Sequence, residues 1–105
     1  MAEDFDYRNI DPVLHSRIRL AIVALLMSQD EAEFSFIRDK VGATDGNMST
    51  HMRQLEESRY VSFRKIFQGR KPQTLYAITD SGRERFKDYL QMLGSIVNGT
   101  GASKE

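Results

Sequence analysis

Apolar residues recur at Val13, Leu14, Ile18, Ala21, Ile22, Leu25 and Leu26, the spacing of one face of an α-helix. Asp11-Pro12 stands just ahead of them, with Asp as N-cap and Pro at the first helical position, so a first helix is predicted from residue 12. Leu20, Val23, Ala24 and Met27 widen the stripe until the second half of this helix is apolar nearly all round. One face can enter a core, and the rest needs cover from another helix of the chain or from a second chain. Residues 28–33 are polar and read as a loop, after which Phe34 returns to the core. Ser35 is placed to cap a short helix, Phe36 to Val41, that ends on Gly42 in the left-handed conformation. Thr44 caps a third helix over residues 45–58, with Asp45 at the positive end of its dipole. Two short helices joined this closely form a helix-turn-helix.

The periodicity then changes. Tyr60 to Phe67 is rich in β-branched and aromatic residues, residues 68–72 carry Gly and Pro as turn punctuation, and Gln73 to Ile78 is a second strand. Thr79 caps a last helix over about 80–97, with Phe86, Tyr89, Leu90, Leu93, Ile96 and Val97 at helical spacing. A lone hairpin is barely stable in water, so this one must rest on the helical body, with a short strand near Phe34 as a candidate third member. The expected fold is mainly α with a small β-hairpin: a winged helix-turn-helix of three helices, a two-stranded wing and a C-terminal helix. Residues 1–10 form an N-terminal arm, 11–97 one domain, and 98–105 a small, polar tail expected to be disordered. Tyr76 and Ile78 share a strand face and point inward; the register that places Phe63, Ile66, Phe67 and Leu75 stays open.

Composition narrows the function. The chain has 105 residues, enough for one domain burying roughly 65% of its unfolded surface. With no cysteine, disulfides, thiolate metal sites and cysteine nucleophiles are excluded, and two histidines, His15 and His51, do not make a metal cage. The longest apolar run, Leu20 to Met27, falls far short of the ~20 residues a membrane helix needs. The N-terminus is acidic where a secretory signal is basic and then apolar, so a cytoplasmic protein with no membrane partner is expected. No glycine-rich phosphate loop, catalytic triad or paired carboxylates are recognisable, and an enzyme is not expected, nor a cofactor or metal.

Net charge is zero, but its distribution is uneven. Residues 1–11 carry Glu3, Asp4, Asp6 and Asp11 against Arg8, whereas residues 61–78 carry Arg64, Lys65, Arg70 and Lys71 and no acid. The wing is therefore basic. On a helical wheel of the third helix, Met48, Met52 and Leu55 gather on one side as core fillers. His51 sits at their edge, read as a structural histidine with a phosphate contact as the alternative. Gly46, Asn47, Thr50, Arg53 and Gln54 fall opposite, with Ser49 flanking. That polar set suits a major groove: Arg reads guanine, Asn and Gln read adenine, Thr meets a thymine methyl, and Gly46 lets backbone approach closely. Asp45, Glu56 and Glu57 weigh against phosphate binding by this helix, so Arg64, Lys65, Arg70 and Lys71 must supply most counter-charge. Ser35 is a candidate for holding a phosphate at a helix N-terminus.

The run Asn47 to Val61, with Ser49, His51-Met52, Leu55 and an acidic residue before Tyr60-Val61, resembles the third helix and following strand of ArsR- and MarR-type winged-helix transcriptional regulators. Gly69 to Pro72 and Tyr76 to Gly82 resemble the wing and last-helix start of the same group. The resemblance runs from about Asp11 to Leu93. It implies a dimeric, sequence-specific regulator that contacts double-stranded DNA through the third helix and wing. Such proteins often have Gly where this chain has Arg59; a positive φ there costs a non-Gly residue roughly 1 kcal/mol. The apolar stripes of the last and first helices place a homodimer interface at Tyr89, Leu90, Leu93, Ile96 and Val97, joined by Leu14 and Ile18. A winged helix used for protein–protein contact is the competing reading. The operator, the sense of regulation and any small-molecule effector are not written in the sequence.

Overall fold

The structure is a computed structural model that describes residues 10–100. A 3₁₀ turn, Pro12–Leu14, leads into α1 (Arg17–Met27), β1 (Ala32–Glu33), α2 (Phe34–Val41), α3 (Asp45–Glu57), β2 (Val61–Gln68), β3 (Lys71–Ile78) and α4 (Asp80–Thr100). The fold is the expected winged helix, with four helices and a small antiparallel sheet. Nearly all of the N-terminal arm, residues 1–9, and the end of the tail, 101–105, lie outside the described residues.

Three boundaries depart from the sequence pattern. Asp11 does cap the first turn, accepting from the Val13 N–H at 3.0 Å, but that turn ends at His15 and α1 starts afresh. Ser16 is extended (φ −145°, ψ 129°) and its hydroxyl accepts from the Arg19 N–H. A second good cap inside an apolar-periodic run thus splits the predicted helix in two. Ser35 is not the cap of α2: Glu33 holds that position, and the Ser35 hydroxyl donates to the Glu33 carboxylate at 2.7 Å. Because Ala32 and Glu33 are fixed in β1, the chain turns from strand to helix at Phe34, one residue before Ser35. The sheet has three strands in the order β1-β3-β2, the short strand beside Phe34 joining as the candidate third member, with Ala32 opposite Tyr76 and Glu33 opposite Leu75. Finally α4 runs to Thr100, past the expected end at Val97.

The core gathers Leu14, Ile22, Val23, Leu26, Ile37, Met48, Met52, Leu55, Tyr60, Val61, Tyr76 and Phe86. Every helix, the 3₁₀ turn and the sheet contribute, which fixes α3 and the wing relative to one another. β2 and β3 form a regular ladder from Val61↔Ile78 to Gln68↔Lys71, closed by Gly69-Arg70 with Gly69 at φ 67°. That register sorts the aromatic residues. Val61, Phe63, Lys65 and Phe67 share a face with Ile78, Tyr76, Thr74 and Pro72. At its base this face is covered: Val61 and Tyr76 are buried, and Tyr76 lies between the rings of Phe34 (6.4 Å) and Phe63 (6.0 Å). Toward the tip the cover ends.

The C-termini of α2 and α3 both end in left-handed residues. Gly42 closes α2 at φ 75°, with its N–H on the Arg38 carbonyl. Arg59 closes α3 at φ 65°, the one non-glycine residue with positive φ among those described. Around it the Tyr60 N–H bonds the Leu55 carbonyl and the Arg59 N–H bonds the Glu56 carbonyl, the paired bonds of a Schellman motif. Tyr60 and Leu55 are both buried and supply its apolar contact.

This corner seats α4. The Thr79 hydroxyl donates to the Arg59 carbonyl at 2.6 Å and accepts from the Gly82 N–H at 2.8 Å, capping the helix as the sequence pattern predicts. A Cβ at Gly82 would lie 2.4 Å from the Tyr60 carbonyl oxygen, so only glycine fits there. Asp11 completes the joint. Its carboxylate accepts from the Tyr60 hydroxyl at 2.5 Å and from the Arg85 guanidinium at 3.0 and 3.1 Å, while Arg85 also reaches the Ser58 carbonyl and lies over the Tyr60 ring. Burial first, and the bond to Asp11 second, push the Tyr60 hydroxyl far above the ordinary tyrosine range.

Candidate nucleic-acid interface

Gly42, Ala43 and Thr44 turn the chain from α2 into α3, where the Thr44 hydroxyl accepts from the Asn47 N–H at 3.2 Å. That cap occupies backbone only and leaves the Asn47 side chain exposed. Met48, Met52 and Leu55 face the core as the wheel predicts, and Gly46, Asn47, Ser49, Thr50, Arg53 and Gln54 are exposed. A Cβ at Gly46 would meet nothing, so no contact inside the domain requires glycine there. The open side of α3 is a polar strip whose backbone can be approached at Gly46.

Two arginines outside this strip act on it, and sequence reasoning did not single out either. Arg38 of α2 bonds Asp45 at 2.6 Å and Asp39 at 3.0 Å. Those carboxylates hold its guanidinium above the ordinary arginine range. Asp45, one of the three acids that weighed against phosphate approach to α3, is thus paired with Arg38, a cation it shares with Asp39. The seven-residue separation across a tight turn was the only available signal.

Arg19 of α1 reaches the other flank. Its Nε donates to the Val13 carbonyl at 2.6 Å, and its Nη1 donates to His51 Nδ1 at 3.0 Å and to the Gln54 side-chain carbonyl. Because arginine only donates, His51 Nδ1 accepts and the ring proton sits on Nε2. Gln54, one of the expected adenine readers, already accepts from Arg19 through its amide oxygen, while that oxygen's second lone pair and the NH₂ donors remain. His51 is half-buried, at the edge of the core-facing side of α3. Glu56, beside Arg53, is half-buried as well, and desolvation pushes its carboxyl up from the ordinary value.

The four wing cations separate into two kinds. Arg64 is clamped by Glu31 through two bonds, at 2.6 and 2.8 Å. The pairing holds the Glu31 carboxyl below its usual range. Lys65, Arg70 and Lys71 are exposed and make no ion pair among the described residues. The unpaired charge is therefore concentrated at the tip. The Ser35 hydroxyl is turned to the Glu33 carboxylate, a poor neighbour for a phosphate.

The residues expected at a dimer interface divide too. Leu14 is 2% exposed and belongs to the core, because the 3₁₀ turn rolls it inward; it has no surface to offer a second chain. Ile18 and Tyr89 are half-buried against the core, and Tyr89 stacks on Phe86 at 6.1 Å. Beyond Tyr89, the core takes nothing more from α4. Leu90 and Val97 are exposed, and Leu93 and Ile96 are half-buried. At 21 residues α4 is about 31 Å long, and only its first half is seated on the body. No helix among the described residues is long and apolar enough to cross a membrane.

Comparison with known proteins agrees with this geometry. Residues 18–97 match the family model described as "Winged helix DNA-binding domain". An uncharacterised protein of Methanocaldococcus jannaschii is 37% identical over 79 residues, covering 74% of this chain and 85% of its own length. The solved structure of a transcriptional regulator homologue from Pyrococcus horikoshii superposes with a TM-score of 0.79 at 33% identity, covering 86% of this chain and 89% of that one. YdgJ of Bacillus subtilis, an uncharacterised HTH-type transcriptional regulator, is 37% identical over 76 residues, which is 69% of this chain and 43% of that protein. Together with the α2–α3 turn and the β2–β3 wing, these matches place the chain in the winged-helix DNA-binding domain family of transcriptional regulators.

Proposed function

We propose that the chain is a cytoplasmic transcriptional regulator that binds double-stranded DNA sequence-specifically as a homodimer. In this reading α3 enters the major groove and presents Asn47, Ser49, Thr50 and Arg53 to base edges, with Gly46 near the backbone. Lys65, Arg70 and Lys71 take the phosphate backbone or minor groove. Gln54 and Arg64, already bonded to Arg19 and Glu31, act as braces for the surfaces they flank. The observation that carries the proposal is the pairing of an exposed polar strip on α3 with a wing tip whose cations have no internal partner. The second half of α4, with Leu90, Leu93, Ile96 and Val97, is the proposed dimer seam. A two-fold dimer presents two copies of α3 to a pseudo-palindrome with half-sites about 10–10.5 base pairs apart, or a multiple of that.

The test is fluorescence-anisotropy binding to random-sequence duplexes at low and then higher salt. Wild type is expected to enrich a palindrome and to weaken with a log–log slope of about −0.9 per phosphate neutralised. Arg53→Ala should relax one base position. The Arg70→Ala/Lys71→Ala pair should weaken all sequences alike and flatten the slope by about 2. Sedimentation at micromolar concentration should show a dimer, and a pure monomer overturns that part. Absence of duplex binding at low salt overturns the DNA reading and favours the protein-contact reading, which zero net charge also suits.

A further inference from the structure

The wing carries a side chain that neither the fold nor a purely ionic contact explains. Phe67 is 72% exposed, one step from the hairpin turn and directly opposite Pro72. It lies on the face through which Tyr76 meets Phe34 of α2, the side of the wing that looks along the helix-turn-helix. Lys65 shares that face, Arg70 sits in the turn, and Lys71, opposite Gln68, lies on the other face; neither strand carries an acid. This run of positive charge selects the occupant. A second copy of the same tip would bring like charges together. A duplex offers the complement: phosphate rails for the cations and, between them, apolar sugar faces and base stacks in the minor groove. Phe is among the residues that wedge between base steps there, and Pro72 stiffens the strand beside it.

Resting on the DNA-binding reading above, we propose that Phe67 is an apolar wedge: its ring enters the minor groove and parts one base step while Lys65, Arg70 and Lys71 hold the flanking phosphates. A flexible pyrimidine–purine step is the favoured target, since it unstacks most easily. The site thereby gains a sequence preference outside the bases that α3 touches.

The experiment uses the highest-affinity duplex recovered from the random pool, with 2-aminopurine placed in turn beside each pyrimidine–purine step of its flanks. Wild type should brighten the probe at one step, reporting unstacking. Phe67→Ala should abolish the signal and weaken binding on the order of tenfold, the scale of one lost base–aromatic contact. Its salt slope should match wild type, because no charge is removed. Phe67→Leu should keep part of both effects. Equal affinity and an unchanged probe signal in Phe67→Ala overturn the wedge while leaving DNA binding intact. A changed sedimentation coefficient or melting temperature in that variant also overturns it, assigning the ring to a second chain or to the fold. Failure of wild type to bind any duplex removes the wedge together with the reading it rests on.

Discussion

Two charged regions of this molecule are built on opposite plans. At the joint between α3 and α4, the Asp11 carboxylate, the Tyr60 hydroxyl, the Arg85 guanidinium and the Ser58 carbonyl all satisfy one another. On the wing Lys65, Arg70 and Lys71 stand in water, as does the ring of Phe67. Buried polar groups are tolerated only when paired, so the joint is closed by necessity. Surface charges have no such requirement, and leaving three together self-repels unless something outside the domain answers them. The difference separates residues that hold the fold from residues proposed to meet a partner, and it makes contrasting demands on mutations.

The largest effect is expected from Gly82→Ala. Its Cβ must displace the Tyr60 carbonyl oxygen, a backbone atom fixed by the Thr79 N–H at 2.9 Å and the Thr79 hydroxyl. Overpacking against backbone costs about 3 kcal/mol. For a domain of this size that lowers Tm by about 12–24 °C, measured by calorimetry. Arg85→Ala comes next. It strands Asp11, whose carboxylate is only 15% exposed, although the Tyr60 hydroxyl still donates to it. Because Arg85 itself is 38% exposed, the loss is discounted from that of a fully buried pair to about 2 kcal/mol. Urea unfolding should show the midpoint falling with little change in slope.

Arg59→Gly runs the other way. Relief of the left-handed strain yields about 1 kcal/mol, and glycine's freer unfolded chain takes back about 0.5, leaving a net gain near 0.5 kcal/mol. A loss of stability instead would mean that the Arg59 side chain does more than its exposed position indicates. The joint also has a pH signature. The Tyr60 hydroxyl titrates higher folded than unfolded, so the folded state holds its proton more tightly. Its contribution is fully present below the unfolded value of about 10 and is lost as pH rises toward the folded value. Wild-type stability should therefore fall above pH about 10 more steeply than that of Tyr60→Phe.

How much of this was legible in the sequence depends on the range of the interaction. The α3 boundaries, the Thr44 and Thr79 caps, the left-handed turn at Gly42 and the hairpin at Gly69 are local, written in residues a few positions apart, and the pattern finds them. The positive φ at Arg59 was legible through family resemblance. What escaped is non-local or competitive. The split of the first helix depended on Ser16 outcompeting an apolar period that continued through it. The Glu33–Ser35 bond follows from β1 pairing with a strand some forty residues later. Arg19 with Gln54, and Arg64 with Glu31, join positions far apart in sequence. Both tie candidate DNA contacts to neighbouring elements, which the helical wheel cannot foresee because it describes one element at a time. Leu14 had the right period and the wrong element.

The smallest expected effect on stability is at the wing tip, where a null result is informative. Arg70→Ala/Lys71→Ala removes two exposed charges that make no ion pair and contribute nothing to the core. Substitutions of this kind stay within about 0.5 kcal/mol of zero, and relief of repulsion among three neighbouring cations favours a slight gain. Thermal melts of the double variant should overlay wild type or shift slightly upward while duplex binding collapses. A marked fall in Tm would show that the tip supports the fold and would erase the contrast with the joint. A melt that holds while affinity falls separates the two roles within one variant: charges that stabilise nothing inside the domain are the ones its partner reads.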